Sequence, residues 1–103
     1  MKMEFAKKDG DAIVRLTGDM DHHSAIGARE EIDLFLEEGG TARLLMDLSG
    51  MQFMDSSGLG LILGRFRKCE EKGIQFLLLN PNDGVLKILR FAGVEKMITV
   101  KYL

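Results

Sequence analysis

Apolar and polar residues alternate near the start of the chain, which is the period of a β-strand. Met3 and Phe5 alternate with polar neighbours, and the run from Ala12 to Leu16 is rich in apolar and β-branched residues. The dipeptide Asp9-Gly10 between them is a favoured two-residue hairpin turn. This pattern predicts an antiparallel hairpin over residues 3–18.

The pattern then changes to a helical period, with apolar residues three and four positions apart. Gly39-Gly40 is expected to end this first helix. Two later segments, Arg43–Leu48 and Ile74–Leu79, are almost continuously apolar, which is typical of parallel strands covered on both faces. The apolar positions of the first helix are Ala25, Ala28, Ile32, Phe35 and Leu36.

A second helix is predicted between these strands, beginning at Ser56 or Ser57. A third follows, with Asn82 or Asp83 as its N-cap and Gly93 just beyond its end. The core stripe of the second helix is Leu59, Ile62, Leu63 and Phe66, and that of the third is Val85, Ile88, Leu89 and Ala92.

The last segment, Lys96–Leu103, is predicted to be a strand, which completes the order ββαβαβαβ. Strands joined by helices are typical of α/β folds. We therefore expect one domain over residues 1–103, with a mixed, largely parallel sheet, an N-terminal hairpin and three or more helices.

Composition narrows the functional classes. The chain has 103 residues, 46% of them hydrophobic, and a formal net charge of −2, so it lacks the basic character that indicates nucleic acid or an anionic membrane as partner. The single cysteine, Cys69, excludes an internal disulfide and fits a reducing compartment. The first residues contain no apolar signal segment, and the apolar runs are too short to span a bilayer. We expect a cytoplasmic protein.

The segment FMDSSGLGLILGR places an acid and two hydroxyls at the start of the second helix. Asp55, Ser56 and Ser57 are all good capping residues, and a cap is worth about 1 kcal/mol. Capping alone therefore explains the acid and the serines. The glycines that follow, Gly58, Gly60 and Gly64, are then expected to let the helix lie close to the sheet.

Two observations favour a binding surface instead. On a helical wheel Leu61 points away from the core stripe, on the side of Ser57 and Gly64, which predicts an exposed leucine on a flat face. The helix also begins at the carboxyl end of a strand, where sites gather in open α/β sheets. If the second hairpin strand ends at the same edge, Asp19 and Asp21 lie near Asp55 and Ser56.

Four kinds of site fit this edge in principle. A serine hydrolase would need His22 or His23 as its base, but the segment is not a nucleophile elbow. A nucleotide site would use the glycines, but no P-loop lysine follows them, and Asn80 stands where an acid is expected to hold the ribose. A metal site would depend on the two adjacent histidines, which point in different directions in most backbones.

The fourth kind is a phosphorylation switch. A phosphoserine carries about −1.5 to −2 charges, which a helix N-terminus accommodates and a docked partner does not. Reversing a 1:99 population requires roughly 5.5 kcal/mol of differential affinity. A phosphate buried against a partner supplies a large part of that.

The segments LTGDMDHHSA and LLMDLSGMQFMDSSGLGLILGR together resemble the STAS-domain anti-sigma factor antagonists, closest to the stage II sporulation protein AA branch. The resemblance extends from about Met3 to Val100. It implies that the unphosphorylated protein binds an anti-sigma factor that is also a serine kinase, and so releases the sigma factor. The kinase uses ATP to phosphorylate Ser56, and a phosphatase restores the active form.

The resemblance also implies the residues of the contact surface and no catalytic, cofactor or metal site. Asp21 and Asp55 are implied to position the hydroxyl of Ser56 at the site of the kinase. A stress-response antagonist or a signalling scaffold with a different partner is the alternative. Family members usually continue into a C-terminal helix, so one face of the sheet is expected to be less covered here. The implied contact residues are Asp19, Asp21, His22, Asp55, Ser57, Gly58, Gly60 and Leu61.

Overall fold

The computed structural model describes residues 1–103, and its elements follow the predicted order. The strands are β1 (Lys2–Lys8), β2 (Asp11–Met20), β3 (Arg43–Met54), β4 (Gln75–Leu79) and β5 (Thr99–Lys101). The helices are α1 (His22–Glu37), α2 (Ser56–Lys72) and α3 (Asp83–Phe91), and a 3₁₀ turn covers Val94–Lys96.

The five strands form one sheet in the order β1-β2-β3-β4-β5. β1 is antiparallel to β2, and every other pair is parallel. Asp9 and Gly10 both have positive φ, 52° and 86°, as a tight hairpin turn of the I′ type requires. The predicted hairpin and the mixed, largely parallel sheet are therefore confirmed.

All three helices cover the same face of the sheet. Alternate residues of β2, such as Val14 and Leu16, join one core of 22 buried residues that also includes helix residues such as Ile32 and Ile62. The opposite face holds a small cluster of Leu45, Leu77 and Leu79 against Ile13, and no helix residue belongs to it. The prediction that both faces are covered is wrong, because consecutive parallel strands joined by crossovers of one hand place every helix on one side.

Two strands differ in length from the prediction. β3 runs six residues beyond Leu48 to Met54, because β2 pairs with it up to Met20 opposite Met54. β5 covers only Thr99–Lys101, because the left-handed Gly93 (φ 73°) leads into the 3₁₀ turn instead. The ends of these two strands are set by long-range strand pairing and by turn geometry, so they cannot be predicted from local hydrophobicity. No helix of the structure has the length and apolar character needed to cross a membrane.

Gly58 lets α2 begin directly above the ends of β2 and β3. A Cβ at this position would lie 2.9 Å from Sδ of Met54 and 3.3 Å from Sδ of Met20. Both methionines are fully buried, so neither has room to move away. Gly60 and Gly64, by contrast, have no atom within 4 Å of such a Cβ. The close-approach role predicted for all three glycines therefore belongs to Gly58 alone.

We predict that Gly58→Ala lowers the free energy of unfolding, because overpacking a core costs about 1–3 kcal/mol and alanine's higher helix propensity offsets only part of it. Gly60→Ala is the matched control on the same helix. It should raise stability by up to about 1 kcal/mol. Urea denaturation followed by circular dichroism measures both variants, and equal effects of the two would contradict the packing role of Gly58.

Cys69 lies on the buried side of α2, inside the core and with no exposed surface. Burial raises the pKa of its thiol to about 11, from an ordinary value of 9.0. Because the thiolate is the reactive form, we predict that Cys69 reacts with a disulfide reagent at least about a hundredfold more slowly in the native protein than in urea. Labelling kinetics at pH 8 test this; rapid native labelling would show that α2 opens readily.

Candidate functional site

The starts of α1 and α2 lie side by side at one edge of the sheet. β2 and β3 are parallel, and their last residues, Met20 and Met54, are paired. Each strand passes through a single aspartate, Asp21 or Asp55, into its helix. β2 therefore ends at the same edge of the sheet at which α2 begins. This is the condition under which Asp19 and Asp21 were expected to lie near Asp55 and Ser56.

Both helices are capped by these aspartates. The Oδ1 atom of Asp21 accepts hydrogen bonds from the backbone N–H of Ser24 at 2.9 Å and from its hydroxyl at 2.7 Å. The Oδ1 atom of Asp55 accepts from the N–H of Ser57 at 2.8 Å and, more weakly, from the N–H of Gly58 at 3.4 Å. The hydrogen bonds from Ser24 lower the pKa of Asp21.

The two serines of the segment therefore have different surroundings. Ser56 is the first residue of α2, it is exposed, and its hydroxyl forms no hydrogen bond. Ser57 is half-buried, with its Oγ atom 3.4 Å from Nδ1 of His22. Neither aspartate is hydrogen-bonded to Ser56 within the chain. Their implied role in positioning its hydroxyl at the site of the kinase stays a prediction.

Leu61 is not exposed. Its exposed fraction is 4%, and the prediction of an outward-facing leucine is wrong. The buried positions of α2 are Gly58, Leu61, Ile62, Arg65 and Cys69. The predicted stripe residues Leu59, Leu63 and Phe66 are only partly buried. α2 packs against α1 as well as the sheet, so the side opposite the predicted stripe is also covered. A Leu61→Ala variant would therefore perturb the fold and would not isolate docking.

A groove of about 280 Å³ lies between α1 and α2, beside the two serines. Gly60 and Gly64 form part of its wall and leave it open because they carry no side chain. The predicted open surface at these glycines is therefore present, but it is a groove and not a flat face, and Leu61 forms part of its buried lining. The lining residues are His22, Ala25, Ile26, Arg29, Ser57, Gly60, Leu61, Gly64 and Arg65.

Arg65 is the functional candidate that the sequence analysis missed. Its side chain is only 8% exposed, and Nε lies 3.0 Å from Oδ1 of Asp33 on α1. The angles are poor, so the contact is an ion pair without a hydrogen bond, and Nε and Nη1 are buried without hydrogen-bond partners. Burial lowers the pKa of Arg65, and the Asp33 charge opposes that shift. The spacing of Arg65 four residues after Leu61 is the available sequence signal, but it was not recognised because Leu61 was assigned to the wrong side.

Two large apolar side chains beside the site were also missed. Phe53, 53% exposed, lies on β3 opposite Asp19, which is itself exposed. Ile26, 45% exposed, is on the wall of the groove. Single exposed apolar side chains are common on folded proteins, but two of this size beside the candidate site add apolar surface that a docked partner can cover.

The observed geometry gives little support to a serine hydrolase or a metal site at this edge. His22 approaches Ser57 and no carboxylate is hydrogen-bonded to its ring, so a base oriented toward Ser56 is lacking. His23 is exposed and makes no side-chain hydrogen bond. Within residues 1–103, no three His, Cys, Asp or Glu side chains converge as a set of metal ligands.

Comparison with known proteins identifies the class. The family model of the STAS domain matches residues 2–102, and the chain therefore belongs to the STAS domain family. An anti-sigma F factor antagonist of Lysinibacillus sphaericus is 38% identical over 82 residues, covering 80% of this chain and 70% of the relative. One from Paenibacillus polymyxa is 33% identical over 100 residues, covering 97% and 86%. Within the STAS family, the chain is a member of the anti-sigma factor antagonists.

Solved structures agree with this placement. The anti-sigma factor antagonist SpoIIAA in its unphosphorylated form superposes with a TM-score of 0.84 at 30% identity, covering 97% of this chain and 88% of that one. The Bacillus cell fate determinant SpoIIAA in its phosphorylated form gives a TM-score of 0.76 at 29% identity, covering 97% and 91%. The resemblance to the stage II sporulation protein AA branch is confirmed.

We predict that Asp55→Ala lowers the free energy of unfolding by about 1 kcal/mol, because the first N–H groups of α2 lose their acceptor. Asp55→Asn keeps an acceptor oxygen and should retain most of the stability. Asp19→Ala is the control, since Asp19 is an exposed neighbour whose side chain forms no hydrogen bond. Thermal and urea unfolding measure the three variants; a stable Asp55→Ala protein would show that the serines can take over the cap.

Proposed function

We propose that this chain is an anti-sigma factor antagonist controlled by phosphorylation of Ser56. In its unphosphorylated form it binds an anti-sigma factor that is also a serine kinase, and the sigma factor is released for transcription. The kinase transfers phosphate from ATP to Ser56 and ends the interaction, and a serine phosphatase restores it. In this role the chain is a substrate and a competitor, not a catalyst.

The observation that carries the proposal is the free hydroxyl of Ser56. It is exposed at the first position of α2, and Asp55 already caps the helix. Ser56 therefore has no structural duty that phosphorylation would interrupt. The hydroxyl of Ser57 is half-buried and faces His22, which makes it the poorer acceptor.

The surroundings of Ser56 also suit a switch. A phosphate at the first turn of α2 meets the positive end of the helix dipole, so the fold tolerates the new charge. A partner docked over Ser56 would cover the exposed ring of Phe53 and the carboxylates of Asp19, Asp21 and Asp55. Adding about −1.5 to −2 charges to this acidic, partly apolar surface changes what can dock on it far more than it changes the domain.

Relatives of two kinds bear on which sigma factor is controlled. The anti-sigma F factor antagonists named above are 38% and 33% identical to the chain. The anti-sigma-B factor antagonist of Bacillus subtilis is 25% identical over 100 residues, covering 97% of this chain and 90% of that relative. The difference favours a sigma F-type, sporulation role over the stress-response alternative.

The direct test is incubation with ATP and the anti-sigma factor kinase of the same organism, followed by intact-mass and peptide-mapping spectrometry. We expect one phosphate, on Ser56, that is absent in Ser56→Ala and present in Ser57→Ala. Ser56→Ala should bind the kinase as the wild type does. Ser56→Asp should bind at least about tenfold more weakly, a difference of 1.4 kcal/mol.

Two outcomes would contradict the proposal. Phosphorylation of Ser57 with Ser56 unmodified would move the acceptor to the less exposed hydroxyl. Equal affinities of Ser56→Ala and Ser56→Asp would exclude charge as the basis of the switch.

A further inference from the structure

The groove between α1 and α2 is basic, although the chain as a whole is acidic. Its nine lining residues include His22, Arg29 and Arg65 and no carboxylate, whereas the formal net charge of the chain is −2. Arg29 is exposed and forms no ion pair. Arg65 is ion-paired with Asp33 of α1, which does not line the groove, so Arg29 is the arginine without a counter-ion. A concave surface that presents two guanidinium groups and no carboxylate is complementary to an anion.

Arg65 adds a buried hydrogen-bond donor to this groove. Its side chain is more than nine-tenths buried, yet Nε and Nη1 have no hydrogen-bond partner. Burial is the main cause that lowers the pKa of Arg65; the charge of Asp33 opposes this shift, and the charge of Arg29 adds to it. Nε already lies 3.0 Å from Oδ1 of Asp33, so Nη1 is the buried donor that is left without an acceptor. Native proteins satisfy nearly all buried polar groups, so this Nη1 atom indicates a missing acceptor.

We infer that this groove receives a carboxylate side chain of the anti-sigma factor, held between Arg29 and Arg65. The inference rests on the proposed function and names a contact within it. A carboxylate matches the planar donor fork of arginine, and such pairs are stronger than neutral hydrogen bonds.

The position of the groove favours a protein side chain over a free small anion. His22, Ser57 and Gly60 belong to the groove wall and also to the implied contact surface around Ser56. A partner seated on Ser56 therefore covers the groove and removes water from Arg29. Desolvating an arginine without a counter-charge is costly, so a partner that docks there must present an acid.

The contact also gives the interface a direction. The edge around Ser56 carries Asp19, Asp21 and Asp55, and the arginines of the groove lie roughly two to three helical turns further along α1 and α2. A partner must therefore place its acidic group over the groove and keep acidic groups away from the edge. Unlike charges placed side by side fix the register of docking as well as its strength.

The test is the affinity of the anti-sigma factor kinase, bound to ADP, for charge-reversal variants of the full chain. Arg29→Glu should weaken binding at least about tenfold, because the groove then repels the carboxylate. Arg67→Glu is the matched control, since Arg67 is an exposed arginine of α2 that does not line the groove. It should change the affinity less than twofold, and melting temperatures should show that both variants are folded.

A second measurement identifies the acid itself. Each exposed Asp and Glu of the kinase near the docked surface is changed to Lys, and each variant is combined with Arg29→Glu. We expect one of these kinase variants to recover at least half of the binding free energy that Arg29→Glu loses. The same kinase variant should not improve the binding of Arg67→Glu.

The remaining outcomes overturn the inference in distinguishable ways. Wild-type binding with equal effects of Arg29→Glu and Arg67→Glu would remove the groove contact and leave the proposed function standing. Saturation of the groove by millimolar inorganic phosphate, with kinase affinity insensitive to Arg29→Glu, would assign it to a small anion. A dimer of the chain alone that Arg29→Glu dissociates would assign it to a second copy. No binding of the kinase by the wild type would refute the proposed function itself.

Discussion

The parallel pairing of β2 with β3 is the constraint on which the rest of the structure depends. The two strands run side by side from Asp11 opposite Arg43 to Met20 opposite Met54. Their ends bury two methionines, and Gly58 allows α2 to start directly over them. Because side chains alternate along a strand, a slip of one residue would turn the methionines outward and separate the starts of α1 and α2. The candidate site therefore exists only in this register.

Features that depend on local periodicity could be predicted from the sequence. Features that depend on contacts with residues far away in the chain could not. The hairpin at Asp9-Gly10, the three helices and the capping segment at Asp55 follow from patterns a few residues long. The meeting of Asp21 with Asp55 at one edge depended on the direction of β2 relative to β3. The burial of Leu61 does not, because a helical wheel shows direction but not whether another helix lies there. The extension of β3 beyond Leu48 depends on a partner strand thirty residues earlier in the chain. Arg65 was missed for the same reason as Leu61.

Asp55 and Ser56 are neighbours in the chain, but one stabilises the helix and the other remains free for regulation. Asp55 satisfies the first N–H groups of α2, so the hydroxyl of Ser56 is not needed to begin the helix. From sequence alone the acid and both serines are equally good caps. Only the observed hydrogen bonds distinguish the residue that holds the helix from the residue that remains available. Chemistry at Ser56 can therefore change the surface of the domain while its core keeps the same contacts.

The net charge of the chain conceals how its charges are placed. Carboxylates gather where the two helices start, and the arginines lie in the groove between them. Exposed charges are screened over about 8 Å at physiological ionic strength, so each region acts mainly on the part of a partner that touches it. A phosphate on Ser56 strengthens the acidic region and leaves the arginines in place. Under the proposed function, phosphorylation opposes docking at the acidic end of the surface, while the arginines at the other end still favour the partner. The interaction is therefore reversible without any rearrangement of the fold.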